Sequence, residues 1–115
     1  MKKPRDLRMY IRDILDSCDQ IAAYVGAGDI DAFRKDVQAQ DAAIRRFQII
    51  GEAVKHIPDE LRRQYPNVMW GDAAGFRDVL VHDYPEIVVD EVYFTGKNQL
   101  PEFREQIRHI LESLK

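Results

Sequence analysis

Cysteine is nearly absent from this chain of 115 residues, in which Cys18 is the single example. A disulfide needs two thiols and a cysteine-based zinc site needs several, so neither can form within one chain. We therefore expect Cys18 to be a buried apolar side chain. Long apolar runs are also absent, and a composition of 45% apolar and 32% charged residues is typical of a globular protein rather than a disordered or membrane-spanning one.

A secretory signal is missing from the start of the sequence. Met1-Lys2-Lys3 is basic, but Pro4-Arg5-Asp6 follows it where such a signal would need an apolar run. We therefore expect a cytoplasmic protein that makes no contact with a membrane. The length suits one compact domain and is too short for two independent cores, so we expect a single domain over residues 1–115.

Positive charge is not in surplus, because 17 basic and 20 acidic side chains give a formal net charge of -3. That balance counts against a broad surface that coats nucleic acid, so any contact with RNA must be local. Part of the positive charge is nevertheless concentrated in the middle of the chain. It belongs either to a substrate cleft or to a solvated helical face, and its members are Arg45, Arg46, Lys55, Arg62, Arg63 and Arg77.

The spacing of apolar residues is almost wholly helical and predicts an all-α, up-down bundle of four to six helices. A first helix is expected from Arg5 to Val25, because apolar residues there recur every three or four positions. A long second helix should follow Asp29 and reach Ile57. Gly51 within the apolar seam of this second helix suggests that another helix crosses closely there. The seam residues are Val37, Ile44, Phe47, Gly51 and Val54.

Prolines set the later boundaries. Pro58 should begin a short helix, and the next helix should run from Trp70 to His82 and stop before Pro85, which disfavours helical geometry in the residue that precedes it. The apolar segment after Pro85 could be a strand, but we interpret it as a helix. A final amphipathic helix is expected around Phe103 and Ile107.

The pattern R-x-x-x-x-H-x-Y, formed by Arg77, His82 and Tyr84, is the strongest indication of function. Arginine offers a rigid fork of donors to phosphate oxygens, histidine exchanges protons near neutral pH, and tyrosine adds a hydroxyl and a stacking face. Residues five apart on a helix diverge by about 140°, so one chain presents Arg77 and His82 poorly as a pair. We therefore expect a symmetric homodimer in which two copies of the motif line one cleft. Exposed apolar side chains around the motif should form the contact, namely Val79, Val81, Ile87 and Val89.

These residues and their neighbours resemble the HepT-like branch of the HEPN domains. The resemblance covers nearly the whole chain and rests on Gln40-Asp41-Ala42-Ala43-Ile44-Arg45, Ile50-Gly51-Glu52-Ala53, Trp70, Gly75-Phe76-Arg77-Asp78 and His82-Asp83-Tyr84. It implies a metal-independent endoribonuclease that serves as the toxin of a type VII-like toxin–antitoxin pair. The implied partner is a minimal nucleotidyltransferase antitoxin that attaches AMP to the motif tyrosine, here Tyr84. The implied substrate is RNA, with tRNA as one candidate.

In this interpretation Arg77 and His82 are the catalytic residues, and no metal or other cofactor is needed. Asp78 matches the polar residue that the HEPN pattern favours after the arginine, and it stands four residues before His82, where it would favour the charged imidazolium. Arg45 belongs either to the cleft or to a salt bridge. Two other classes of function stay open: a catalytically silent dimer that binds a nucleotidyltransferase, and a regulator that binds a mononucleotide.

Overall fold

The computed structural model describes residues 6–26 and 28–114, and within them every regular element is an α-helix. The predicted all-α fold is therefore confirmed, and the segment after Pro85 is a helix and not a strand. The helices of this described part are α1 (Leu7–Gly26), α2 (Ile30–Lys35), α3 (Val37–Lys55), α4 (Asp59–Gln64), α5 (Trp70–His82), α6 (Pro85–Asn98) and α7 (Leu100–Ser113). The expected start of the first helix at Arg5 lies outside the described residues.

Seven helices are present in the described part, against the four to six expected, because the long second helix is divided at Asp36. The backbone of Asp36 leaves the helical region at φ -105° and ψ 85°, and its carboxylate accepts a hydrogen bond of 3.0 Å from the N–H of Ala39. Asp36 thereby caps α3. The side-chain amide of Gln40 donates to the carbonyl oxygens of Phe33 and Arg34 at the end of α2, at 2.8 and 3.0 Å. The break is thus stabilised from both sides.

Helix α1 lies at the centre of the bundle and packs against α3, α6 and α7. Its side chains Ile11, Ile14 and Ile21 are completely buried, as is the apolar residue Val92 of α6. Cys18 shares this core, which confirms its predicted burial. Burial raises the pKa of the Cys18 thiol to about 12, so the thiol stays protonated and is a packing group rather than a nucleophile.

Helices α1 and α3 run antiparallel, since the ring of Tyr10 near the start of α1 stacks on His56 at the end of α3 with a centroid distance of 4.7 Å. Helix α5 makes its extensive contacts with α3 alone. The two cross closely at Gly51, as the sequence predicted: a Cβ added there would lie 3.4 Å from the carbonyl oxygen of Ala73. Trp70 anchors the start of α5, being 7% exposed and donating its indole N–H to the carbonyl oxygen of Tyr65 at 3.1 Å.

Gly96 marks a second close approach, between α6 and α1. A Cβ on Gly96 would lie 3.1 Å from methyl groups of both Ile21 and Val25, which is tighter than ordinary van der Waals contact. We expect Gly96→Leu to lower the free energy of unfolding by about 1–3 kcal/mol, because the added carbons overpack this contact. Urea-induced unfolding followed by circular dichroism measures the loss.

The control for that measurement is Gly71→Leu on α5, where an added Cβ meets no atom within 4 Å. This variant should be no less stable than the parent, because leucine is a better helix former than glycine and has open space there. Equal stability losses in the two variants would contradict the close packing at Gly96.

Among the helices of residues 6–26 and 28–114, none combines the length and the apolar character needed to cross a membrane.

Candidate active site at the junction of α5 and α6

The motif lies where α5 ends and α6 begins. His82 is the last residue of α5, and the N–H of the next residue, Asp83, donates to the carbonyl oxygen of Val79 at 3.2 Å. Tyr84 then adopts the extended conformation, with φ -64° and ψ 150°, and precedes Pro85 at the first position of α6. Proline suits that position because its missing N–H has no helical partner there. The predicted bounds of the motif helix are therefore confirmed.

The junction separates Tyr84 from the other two motif residues. Arg77 and Tyr84 would share one side only of a helix that continued through both, and α5 stops between them. Arg77 and His82 lie on the same helix but point about 140° apart. The three side chains therefore do not form one row along a single helix.

All three motif side chains are exposed to solvent, and Tyr84 is 75% exposed. Throughout residues 6–26 and 28–114, no hydrogen bond, ion pair or ring contact engages the side chain of Arg77, His82 or Tyr84. Six of the nine other arginines that the structure describes donate to carboxylates or carbonyl oxygens, namely Arg8, Arg34, Arg62, Arg63, Arg104 and Arg108. The donors of Arg77 are therefore available to a ligand.

Asp78 and Arg45 are also exposed, and neither forms an ion pair within the part of the chain that the structure describes. The expected contact between Asp78 and His82 is thus not formed, although the two residues are one helical turn apart. We expected Arg45 either to line the cleft or to form a salt bridge, and within the described residues no salt bridge is observed. Its place on the exposed side of α3 leaves its guanidinium free to meet a ligand.

The positive charges in the middle of the chain do not all gather at the motif. Arg62 donates to the carbonyl oxygens of Val54 and Ile57, so it caps the end of α3. Arg46 lines a pocket between α1 and α3 whose charged side chains are otherwise mostly acidic. The local sequence does not separate these two arginines from Arg77, because the surroundings of each depend on how the helices pack.

An exposed apolar surface adjoins the motif. Val81 on α5 is 59% exposed and Ile87 on α6 is 46% exposed, as the sequence predicted. Val79 and Val89 are half-buried, and Val89 packs against the core. We call Val81, Tyr84 and Ile87 the motif patch. Exposed apolar side chains close in sequence to the unpaired Arg77 and His82 are a feature of a surface that meets a partner.

An ion pair that the sequence did not predict fixes the orientation of α6. Arg34 on α2 donates through Nε and Nη2 to the two carboxylate oxygens of Asp90, at 2.9 Å each. The hydrogen bonds from Arg34 lower the pKa of Asp90, so the pair stays ionised well into the acid range. Tyr93 adds a hydrogen bond of 3.4 Å from its hydroxyl to the carbonyl oxygen of Gly28. Tyr84 therefore precedes a helix that packs against α1, α2 and α7, whereas Arg77 lies on a helix that packs mainly against α3.

No group of three or more histidine, cysteine, aspartate or glutamate side chains in residues 6–26 and 28–114 has the arrangement of a metal site. Both remaining histidines also lack the acidic partner that stands four residues before them in the sequence. His56 stacks on Tyr10, and Glu105, which precedes His109, binds Arg104 and Arg108 instead.

The described residues form an all-helical bundle with an exposed arginine, histidine and tyrosine near one helix junction. This is the class of small helical proteins with a candidate phosphate-binding site. Comparisons with known proteins identify the family. Residues 14–110 match the family model described as "Ribonuclease HepT-like". The chain therefore belongs to the HepT-like ribonuclease family, which supports a ribonuclease function in general terms.

Relatives with similar lengths agree with this assignment. The chain is 35% identical to "Putative RNase TTE0752" of Caldanaerobacter subterraneus subsp. tengcongensis over 115 residues, which is the whole of both chains. It is 34% identical to "Putative RNase MJ0125" of Methanocaldococcus jannaschii over 96% of this chain and 95% of the relative. It is 32% identical to "Probable ribonuclease HepT" of Thermococcus cleftensis over 87% of this chain and 91% of the relative. No solved structure showed significant similarity to this chain.

Proposed function

We propose that the protein is a metal-independent endoribonuclease that acts as a symmetric homodimer and serves as the toxin of a type VII-like toxin–antitoxin pair. The observation that carries the proposal is the exposure of Arg77 and His82 near the motif patch, with no partner for either side chain among residues 6–26 and 28–114. An arginine and a histidine in this state suit a phosphodiester substrate, since one binds phosphate and the other transfers protons. The names of the relatives support ribonuclease activity in the same general sense.

The dimer brings the two divergent side chains together. A twofold axis through the motif patch would bury Val81 and Ile87 against their copies and place both arginines and both histidines along one cleft. Arg77 of one protomer then lies near His82 of its partner, although the two diverge within one chain. The site is incomplete without the second copy.

The reaction is a transesterification within RNA. The 2'-oxygen attacks the adjacent phosphorus, its proton passes to the neutral imidazole of His82, and a new O–P bond forms. The bond from phosphorus to the 5'-oxygen breaks, and an imidazolium supplies the proton that this leaving oxygen takes up. Arg77 stabilises the negative charge that develops on the phosphorane oxygens. The products are a 2',3'-cyclic phosphate and a 5'-hydroxyl.

In this proposal Tyr84 is the site of inactivation. Its side chain is 75% exposed, so a nucleotidyltransferase could reach the phenol oxygen, which would attack the α-phosphorus of ATP, lose its proton and release pyrophosphate. The attached AMP adds a negative charge and a bulky group two residues from His82. It would repel the RNA backbone and fill the cleft. Arg45 and Asp78 are exposed residues that would line the approach of RNA to this site.

The test is to purify the protein expressed alone and with a nucleotidyltransferase encoded beside it, and to measure intact mass and RNA cleavage for each product. We expect the protein alone to cleave RNA and to keep its rate in excess EDTA, and the coexpressed protein to carry AMP and to be silent. Tyr84→Phe should stay unmodified on coexpression. A rate that falls to background in EDTA would refute metal independence, and an unmodified protein that never cleaves RNA would favour the catalytically silent binding module.

A further inference from the structure

A groove lies between α5 on one side and α6 and α7 on the other. Its volume is about 760 Å³. Phe47 and Ile50 of α3 form part of its floor, and its walls include Phe76 and Val79 of α5 and Phe103 of α7. The members of the motif patch, Val81, Tyr84 and Ile87, do not line it. Of the four apolar residues expected at the homodimer contact, only Val79 lines the groove, so the groove adjoins that contact and extends beyond it.

The charges along the groove all have one sign. Three acidic side chains line it, Asp72 on α5, Glu91 on α6 and Glu102 on α7, and no lysine, arginine or histidine is among its lining residues. None of the three acids forms an ion pair within the described chain. An apolar floor below unpaired carboxylates on both sides gives the groove a definite electrostatic preference.

That preference excludes two occupants. RNA carries a negative charge on each phosphate, so the three carboxylates would repel it. A second copy that used the same groove about a twofold axis would place these acids against their own copies, which is also repulsive. The complementary occupant carries positive charge on its edges and apolar side chains on one face.

We propose that the groove binds a basic amphipathic helix of another protein. Apolar side chains at positions i, i+3, i+4 and i+7 of that helix would contact Met69, Phe76 and Val79, which line the groove and are at least partly exposed. Lysines or arginines on its flanks would pair with Glu91 and Glu102. The proposal goes beyond the ribonuclease function, because it assigns a protein-binding surface that includes neither Arg77 nor the motif patch.

Gly75 offers a direct way to block this groove. It lies on the α5 wall, and a Cβ added to it would meet no atom of the chain within 4 Å. Gly75→Leu therefore extends a side chain into the groove without straining the bundle. Glu91→Lys combined with Glu102→Lys reverses the charge on the opposite wall and leaves the apolar floor unchanged.

The test uses a fluorescein-labelled synthetic helix of leucine and lysine, with leucines at the four apolar positions given above, and follows its anisotropy as protein is added. We expect saturable binding to the unchanged protein and at least tenfold weaker binding to both groove variants. Two matched controls should bind like the unchanged protein: Gly26→Leu, where an added Cβ also meets nothing within 4 Å, and Glu60→Lys on α4. A peptide with glutamate in place of each lysine should not bind.

Three outcomes would overturn the proposal. One is the absence of binding to the unchanged protein, and another is equal binding to the unchanged protein and both groove variants. The third is a fall in the sedimenting mass of Gly75→Leu without any loss of peptide binding, which would assign the groove to a second copy of this chain. Circular dichroism spectra of all variants verify that each is folded.

Discussion

His82→Ala and Arg77→Ala should each lower the rate of RNA cleavage by about a hundredfold or more. Loss of a positioned general acid or base removes about two to four orders of magnitude, and loss of one donor to a developing anion has an effect of similar size. Both side chains are exposed and have no partner in the described part of the chain, so their removal should leave the fold intact. Cleavage of a fluorescent RNA measures the rate, and sedimentation verifies that the dimer persists.

Matched controls for these variants exist on α1 and α7. Arg12→Ala and His109→Ala remove the same side-chain types from exposed positions outside the junction of α5 and α6. Both should keep the rate of the parent. Full activity of His82→Ala, or equal losses in the junction variants and the controls, would contradict the assigned roles.

Val81→Asp combined with Ile87→Asp should convert the homodimer to a monomer and reduce cleavage to background, although Arg77 and His82 are unchanged. Charged side chains at the centre of the motif patch would have to be buried without partners in a dimer, which is strongly unfavourable. Val81 is 59% exposed and Ile87 is 46% exposed in one chain, so the monomer should tolerate the change. Analytical ultracentrifugation gives the mass, and the same RNA assay gives the rate.

Met9→Asp is the control, because Met9 is a similarly exposed apolar side chain, 48% exposed, on α1. It should remain an active dimer. Mixing the inactive Arg77→Ala and His82→Ala proteins should restore part of the activity, since a mixed dimer keeps one arginine and one histidine in the cleft. A monomer that cleaves RNA at the parent rate would show that one chain suffices.

Sequence patterns predicted the motif helix accurately because its boundaries are set by neighbours in the chain. Pro85 fixes the end of α5 through its own ring geometry, and Tyr84 takes the extended conformation that a following proline favours. The break at Asp36 was missed for the opposite reason. Val37 fits the apolar seam by spacing but is 63% exposed, so the pattern concealed the point where the chain turns.

The contacts that join the helices around the site were less predictable from the sequence than the motif residues themselves. Arg34 and Asp90 are 56 residues apart, and nothing in either local sequence indicates that they pair. Arg62 donates to two carbonyl oxygens nearer in sequence, those of Val54 in α3 and of Ile57 in the turn after it, but no local pattern distinguishes it from Arg63 in this role. Side chains that react with a substrate follow a recognisable spacing, whereas those that hold helices together depend on which helices the fold makes adjacent.

Trp70 gives the molecule an internal optical probe. It is the chain's one tryptophan, it stands at the first position of the helix that carries Arg77 and His82, and its ring is buried against a bundle that this helix contacts mainly through α3. Its emission has a single origin. A red shift would therefore report that the start of α5 has separated from the bundle and that water has reached the indole. Antitoxin or RNA binding could thus be followed in real time, without attaching a dye, through the wavelength of one native fluorophore.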